Sequence, residues 1–192
     1  MEKTNEFQKK FKAFLKEIKW SPIWSPLDLA LIGLLTAATI VASNFLTIST
    51  PISKINFSNA FIMLAGIWLG PVAGAFVGGI ADVLGCVLEG NVPLPQMVIA
   101  PVMVGVLSGL MAPIFKKSKN LLVYAGLITV ITLITTVLIG SWALTSFVST
   151  PFSALVKVRA GQAVINIVLH TLVVNALYRS QITNMLINAR RR

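Results

Sequence analysis

The chain has 192 residues, of which 56% are apolar and only 11% carry charge. A soluble domain of this size carries about 25% charge, so the composition excludes disorder and a conventional soluble enzyme and points to side chains facing hydrocarbon. Sixteen Lys and Arg against six Asp and Glu give a net charge of +10, an excess read here by position, because basic residues mark the cytoplasmic ends of membrane helices.

The chain opens with a charged stretch rather than a short apolar core, so no cleavable signal is expected. Phe7, Phe11, Phe14, Leu15 and Ile18 recur at helical spacing, and Lys9, Lys10, Lys12, Lys16 and Lys19 fill the other face. Residues 1–25 thus read either as a basic amphipathic helix on an anionic leaflet or as a solvated tail. Trp20 and Trp24, interleaved with Pro22 and Pro26, suit an interfacial anchor.

Six apolar segments follow, at about 27–47, 57–70, 72–89, 94–115, 120–147 and 152–179, which predicts an all-α membrane domain over 26–180. A basic tail, 181–192, ends the chain. The breaks carry Pro51, Gly70-Pro71, Gly90 to Pro95, Lys116 to Asn120, and Ser149 to Pro151. Proline cannot donate a backbone hydrogen bond, so it favours turns and helix starts. Gly70-Pro71 leaves almost no connector, which predicts a tight helical hairpin. The second segment is short for a full span.

With six spans and an inner N-terminus, the inner regions hold Lys3, the five lysines above, Lys116, Lys117, Lys119, Arg179 and Arg190 to Arg192. Only Lys54, Lys157 and Arg159 fall outside. This asymmetry predicts both termini in the cytoplasm. Cys86 stands alone, which excludes an internal disulfide, and no clustered His/Cys set predicts a metal. No G-x-x-x-x-G-K-[ST] stretch is present, so ATP hydrolysis by that route is not expected of this chain. No cofactor is expected.

Two features bear on function. Small residues sit at helical spacing: Gly33 with Ala37, Ala38 with Ala42, and Gly74 with Gly78. In lipid, helices approach where side chains are small. Such a stripe serves either internal packing or the docking of a separate membrane subunit.

Polar residues in spans are the second feature, since each is placed against lipid's cost. Asp82 and Glu89 share a face of the third segment, and Arg159, Gln162, Asn166 and His170 share one of the sixth. Asn44, Lys54, Asn56, Asn91, Gln96, Trp142, Ser146 and Lys157 lie at the outer ends. Their common depth predicts a hydrophilic pocket open to the outside, with Asn44, Lys54, Asn56, Glu89, Asn91, Gln96, Trp142, Ser146, Lys157, Arg159, Gln162 and Asn166 as binding residues. His170, deeper, is expected to be structural. Two other readings are an intramembrane serine protease using Ser108 and His170, and a ligand-free structural membrane protein.

Residues 54–89 add a resemblance. Lys54 to Phe57, the Leu69-Gly70-Pro71 hairpin, and the glycine-rich helix closing in Asp82 to Gly85 together resemble the substrate-binding S components of energy-coupling factor (ECF) vitamin transporters, folate-family type. Thr150-Pro151-Phe152 followed by Arg159 is similar to that family's sixth helix start. The resemblance implies a non-enzymatic, multi-pass subunit of a prokaryotic plasma membrane. It would bind a vitamin outside and release it inside, with a transmembrane coupling subunit and two cytoplasmic ATPases as partners. It also implies that Ala30, Gly33, Ala37, Ala38 and Ala42 dock the coupling subunit. Folate-specific members usually show Arg after Ser at the end of helix one, whereas Ser43 is followed by Asn44. The expected vitamin class therefore widens to folate, pantothenate, pyridoxine or hydroxymethylpyrimidine.

Overall fold

The computed structural model describes residues 25–45, 48–49, 54–55, 57–117, 120–145 and 152–179. The expectations for the basic N-terminal segment, the C-terminal tail, Asn56 and Ser146 lie outside these residues, as does the Lys54 side chain.

Helix α1, Pro26–Phe45, begins at a reciprocal cap. The Asp28 amide donates to Ser25 Oγ at 3.2 Å, and the Ser25 amide donates to Asp28 Oδ2 at 3.3 Å. Pro26 sits at the first helical position, where no donor is needed. A cap of this kind contributes about 1 kcal/mol. The inward face carries Ile32, Leu35, Thr36, Thr39 and Ala42. The Thr36 and Thr39 hydroxyls each donate to the carbonyl four residues back at 2.7 Å, so threonine is tolerated in an apolar helix. Strands β1 (Ile48–Ser49) and β2 (Lys54–Ile55) then form a small antiparallel ladder, Ile48 opposite Ile55 and Ser49 opposite Lys54.

Helices α2 (Ser58–Leu69) and α3 (Pro71–Leu88) are joined by Gly70 alone. Its φ of 104° and ψ of 174° exclude an ordinary L side chain, and Pro71 supplies the pre-set first position of α3. This is the hairpin that Gly70-Pro71 predicts. Helix α2 is buried nearly all round, through Ala60, Ile62, Met63, Leu64, Ala65, Ile67 and Leu69. That is the pattern of a central helix rather than a lipid-facing one.

Next come α4 (Pro95–Leu110), α5 (Ala112–Lys117) and α6 (Leu121–Thr132). A π-helical turn over Leu133–Ile139 follows, then α7 (Gly140–Thr145) and α8 (Phe152–Arg179). Four stretches are long and apolar enough to cross a bilayer: Pro26–Phe45, Pro71–Leu88, Leu121–Thr145 and Ser153–Tyr178. Ser58–Leu69 and Pro95–Leu110 are shorter apolar helices. Helix α8 shows the inversion that lipid imposes. Val164, Ile165, Val168 and Leu172 are exposed, while Asn166, His170 and Val174 are buried.

Glycine controls the tightest contacts. A Cβ at Gly74 would stand 2.7 Å from the Gly105 carbonyl oxygen, and one at Gly105 would overlap the Gly74 carbonyl. Gly78 lies equally close to the backbone of Pro101, and Gly66 to that of Gly105. The Gly74–Gly78 stripe thus serves internal packing of α3 on α4. The end of the bundle that carries Gly70 is filled by apolar side chains: Leu69, Phe115, Tyr124, Ile128 and Val174 join one apolar cluster. Tyr124 packs at a tilt between Phe115 and Tyr178, with ring centroids 5.2 and 5.8 Å away, and donates its hydroxyl to the Phe115 carbonyl at 3.0 Å.

Candidate functional site

At the opposite end the helices separate around a cavity of about 360 Å³, a volume within the usual range for small-molecule sites. Helices α1 to α4, the π-helical turn, α7 and α8 supply the wall. Thr39 and Ser43 come from α1, Ser58, Asn59 and Ile62 from α2, and Gly78, Asp82, Gly85, Cys86 and Glu89 from α3. Met97, Pro101 and Val104 come from α4, and Thr135, Thr136, Gly140 and Ala143 from the π-helical turn and α7. Arg159, Gln162 and Asn166 complete the wall from α8. Among the described residues the lining is thus mixed: apolar side chains, several hydroxyl and amide groups, two carboxyl side chains and one guanidinium.

The α8 residues share a face because they are spaced by three and four, about one helical turn apart. Gln162 and Asn166 are 8% and 2% exposed, which is costly in a membrane helix unless they meet polar groups or a ligand. Arg159 Nη1 donates to the Thr136 carbonyl at 3.1 Å. Its Nε is buried and makes no hydrogen bond among the described residues.

Of the residues that the sequence predicts for the site, Glu89, Arg159, Gln162 and Asn166 line the cavity. Asp82, noted in the sequence for its cost in lipid, lines it too. Asn44 stands at its edge, donating to the Ile40 carbonyl at 2.8 Å, with Ser43 rather than Asn44 on the wall. Asn91 is exposed and donates to Glu89 Oε2 at 3.3 Å. Trp142 faces outward, 54% exposed, and Lys157 is exposed as well. Gln96 is half-buried off the wall.

Sequence reasoning passed over Thr39, Ser43, Ser58, Asn59, Cys86, Thr135 and Thr136. Small hydroxyl residues in apolar helices give little signal, because the helix's own carbonyls satisfy them. Ser108 is away from the cavity. It is fully buried, with its hydroxyl donating to the Gly105 carbonyl at 2.9 Å where α4 meets Gly66. On α1, Ala30, Gly33 and Ala37 are exposed, Ala38 is half-buried, and Ala42 faces the core.

Comparison with known proteins matches this architecture. The profile of the ECF-type riboflavin transporter S component matches residues 23–183. The chain belongs to that S-component family. Members are membrane-embedded, substrate-binding subunits of transporters rather than enzymes. The crystal structure of FolT bound with folic acid is similar in fold, with a TM-score of 0.71 over 81% of this chain and 96% of that one. At 21% identity that likeness establishes the S-component fold alone. No protein of curated function is detectably similar in sequence. The helices that line the polar cavity all lie within the matched residues.

Proposed function

We propose that this S component captures riboflavin at the outer face of a prokaryotic plasma membrane and passes it inward. In this reading all six apolar segments cross the bilayer, with both termini cytoplasmic, as the thirteen-to-three partition of basic residues favours. Energy comes from two cytoplasmic ATPases joined through a transmembrane coupling subunit. The exposed small-residue face of α1, at Ala30, Gly33 and Ala37, is the docking surface.

The charge balance of the cavity carries the choice of vitamin. Among the described residues, Asp82 and Glu89 face the same space as a single guanidinium, that of Arg159. Beyond α1, these are the chain's only two acidic residues. A dianion such as folate would need a cationic fork for each carboxylate and would meet two like charges instead. Riboflavin is uncharged. It offers a flat ring to the apolar side chains, carbonyl oxygens to Arg159, and ring N–H and ribityl hydroxyls to carboxyl and amide groups. The family's description points to the same vitamin.

Titration of the purified protein with riboflavin and with folate tests this. Saturable quenching of flavin fluorescence, with folate at least a hundredfold weaker, is the expected result. Tighter binding of folate would reverse the choice of vitamin, and failure of both would remove the vitamin-binding reading. Co-purification tests the partners: the wild-type chain is expected to bring down ATPase-bearing subunits, and Ala37→Trp to lose them.

A further inference from the structure

The π-helical turn has a consequence for Arg159. In an α-helix the Gly140 amide would donate to Thr136, four residues back. Here it donates to the Thr135 carbonyl, five back. The Thr136 carbonyl is thereby released from that helical pairing, and Arg159 Nη1 takes it at 3.1 Å across to α8. The same residue makes the room. A Cβ at Gly140 would overlap Arg159 Nη1 and stand 3.3 Å from Cζ. The register shift and the missing side chain thus act on one group, the guanidinium at the cavity wall.

We infer that the Thr136 carbonyl and Gly140 form a built-in seat that fixes Arg159 before any ligand arrives. With one nitrogen committed to Thr136, the guanidinium is held as a rigid fork for one acceptor group of the ligand, a carbonyl pair or a single carboxylate. Arginine's long side chain otherwise loses considerable rotamer freedom on binding, and a pre-formed fork avoids that loss. Single π-helical turns inside α-helices are frequent at functional sites, because they re-aim backbone groups in this manner. Gly140 is a positioning residue in this account; Arg159 is the one that touches ligand. The inference rests on the cavity being the vitamin site.

Gly140→Ala is the informative variant. The clash is with the far end of a flexible side chain, and alanine is the better helix former, so the bundle is expected to persist while the guanidinium is displaced. The first readout needs no ligand. In protein labelled with ¹⁵N only at arginine, the Nη protons of Arg159, assigned by their loss in Arg159→Lys, are expected to be resolved and slowly exchanging. In Gly140→Ala they are expected to collapse to an averaged signal. Averaged signals in the wild type, or resolved signals in both proteins, would overturn the seat.

The second readout is a double-mutant cycle titrated with riboflavin. Gly140→Ala is expected to weaken binding about tenfold, and to add nothing in an Arg159→Ala background. Full additivity would overturn the inference. Absence of riboflavin binding in the wild type would count against the vitamin assigned above, and the arginine signals would still decide the seat.

Discussion

The two ends of the bundle solve opposite problems with the same six apolar segments. At the hairpin end, Gly66, Gly74, Gly105 and Gly109 bring backbones into direct contact, and Phe115, Tyr124 and Tyr178 fill what remains. At the other end Gly85 and Gly140 face the cavity, and polar side chains take the place of apolar ones. Hydrophobic burial cannot drive helix association in lipid, so the filled end must supply the cohesion through close van der Waals contact. That cohesion lets the open end keep buried Asn and Gln side chains and a half-buried Arg. Stability and binding are therefore expected to separate along the long axis of the molecule.

The largest expected effect tests the filled end. Gly105→Leu drives a side chain into the Gly74 carbonyl and should cost about 3 kcal/mol or more, read as loss of a monodisperse, cooperatively melting protein. Gly126, with nothing within 4 Å of its would-be Cβ, is the control: Gly126→Leu should leave melting nearly unchanged. Equal damage from both would mean that close backbone approach is not what holds this end.

Arg159→Ala is next. Loss of a charged donor to the ligand should weaken riboflavin binding by about tenfold to a hundredfold, with little change in the melting of the ligand-free protein. Smaller still is the paired change Asp82→Asn with Glu89→Gln. Removing the two like charges should shift the ratio of folate to riboflavin affinity toward folate by about tenfold. A ratio that does not move would mean that these carboxyl groups do not face the ligand. Last, Ser25→Ala removes the α1 cap and should cost about 1 kcal/mol of stability, read in thermal melting, while binding stays unchanged.

Much of this arrangement was legible in the sequence, for identifiable reasons. Helix positions follow from long apolar runs punctuated by proline, and the Gly70 hairpin from a dipeptide with one physical solution. The α8 face was readable because Arg159, Gln162 and Asn166 are too polar to sit in lipid without purpose, and their spacing places them together. Depth along the span, by contrast, does not give direction around the helix. Trp142 and Lys157 lie at the right level and face outward. Asn44 and Ser43 are neighbours at the same depth, and only Ser43 reaches the wall.

The π-helical turn left no mark that composition or periodicity can detect. Leu133–Ile139 is an unbroken β-branched and aliphatic run, and the only sequence trace is a threonine pair followed by Gly140. Close glycine contacts were readable as small-residue spacing, but not which stripe packs internally. The structure turns Gly74 and Gly78 to α4 and leaves Gly33 and Ala37 exposed.

One titration probes the claim on which the rest depends, that the polar end of the bundle is a vitamin cavity. Riboflavin is titrated into wild-type protein and into Asn166→Leu, a change on the cavity wall, with Ser108→Ala at the filled end as control. Saturable one-to-one binding is expected in the wild type and in Ser108→Ala, with loss of binding in Asn166→Leu. Undiminished affinity in Asn166→Leu would contradict the placement of the site.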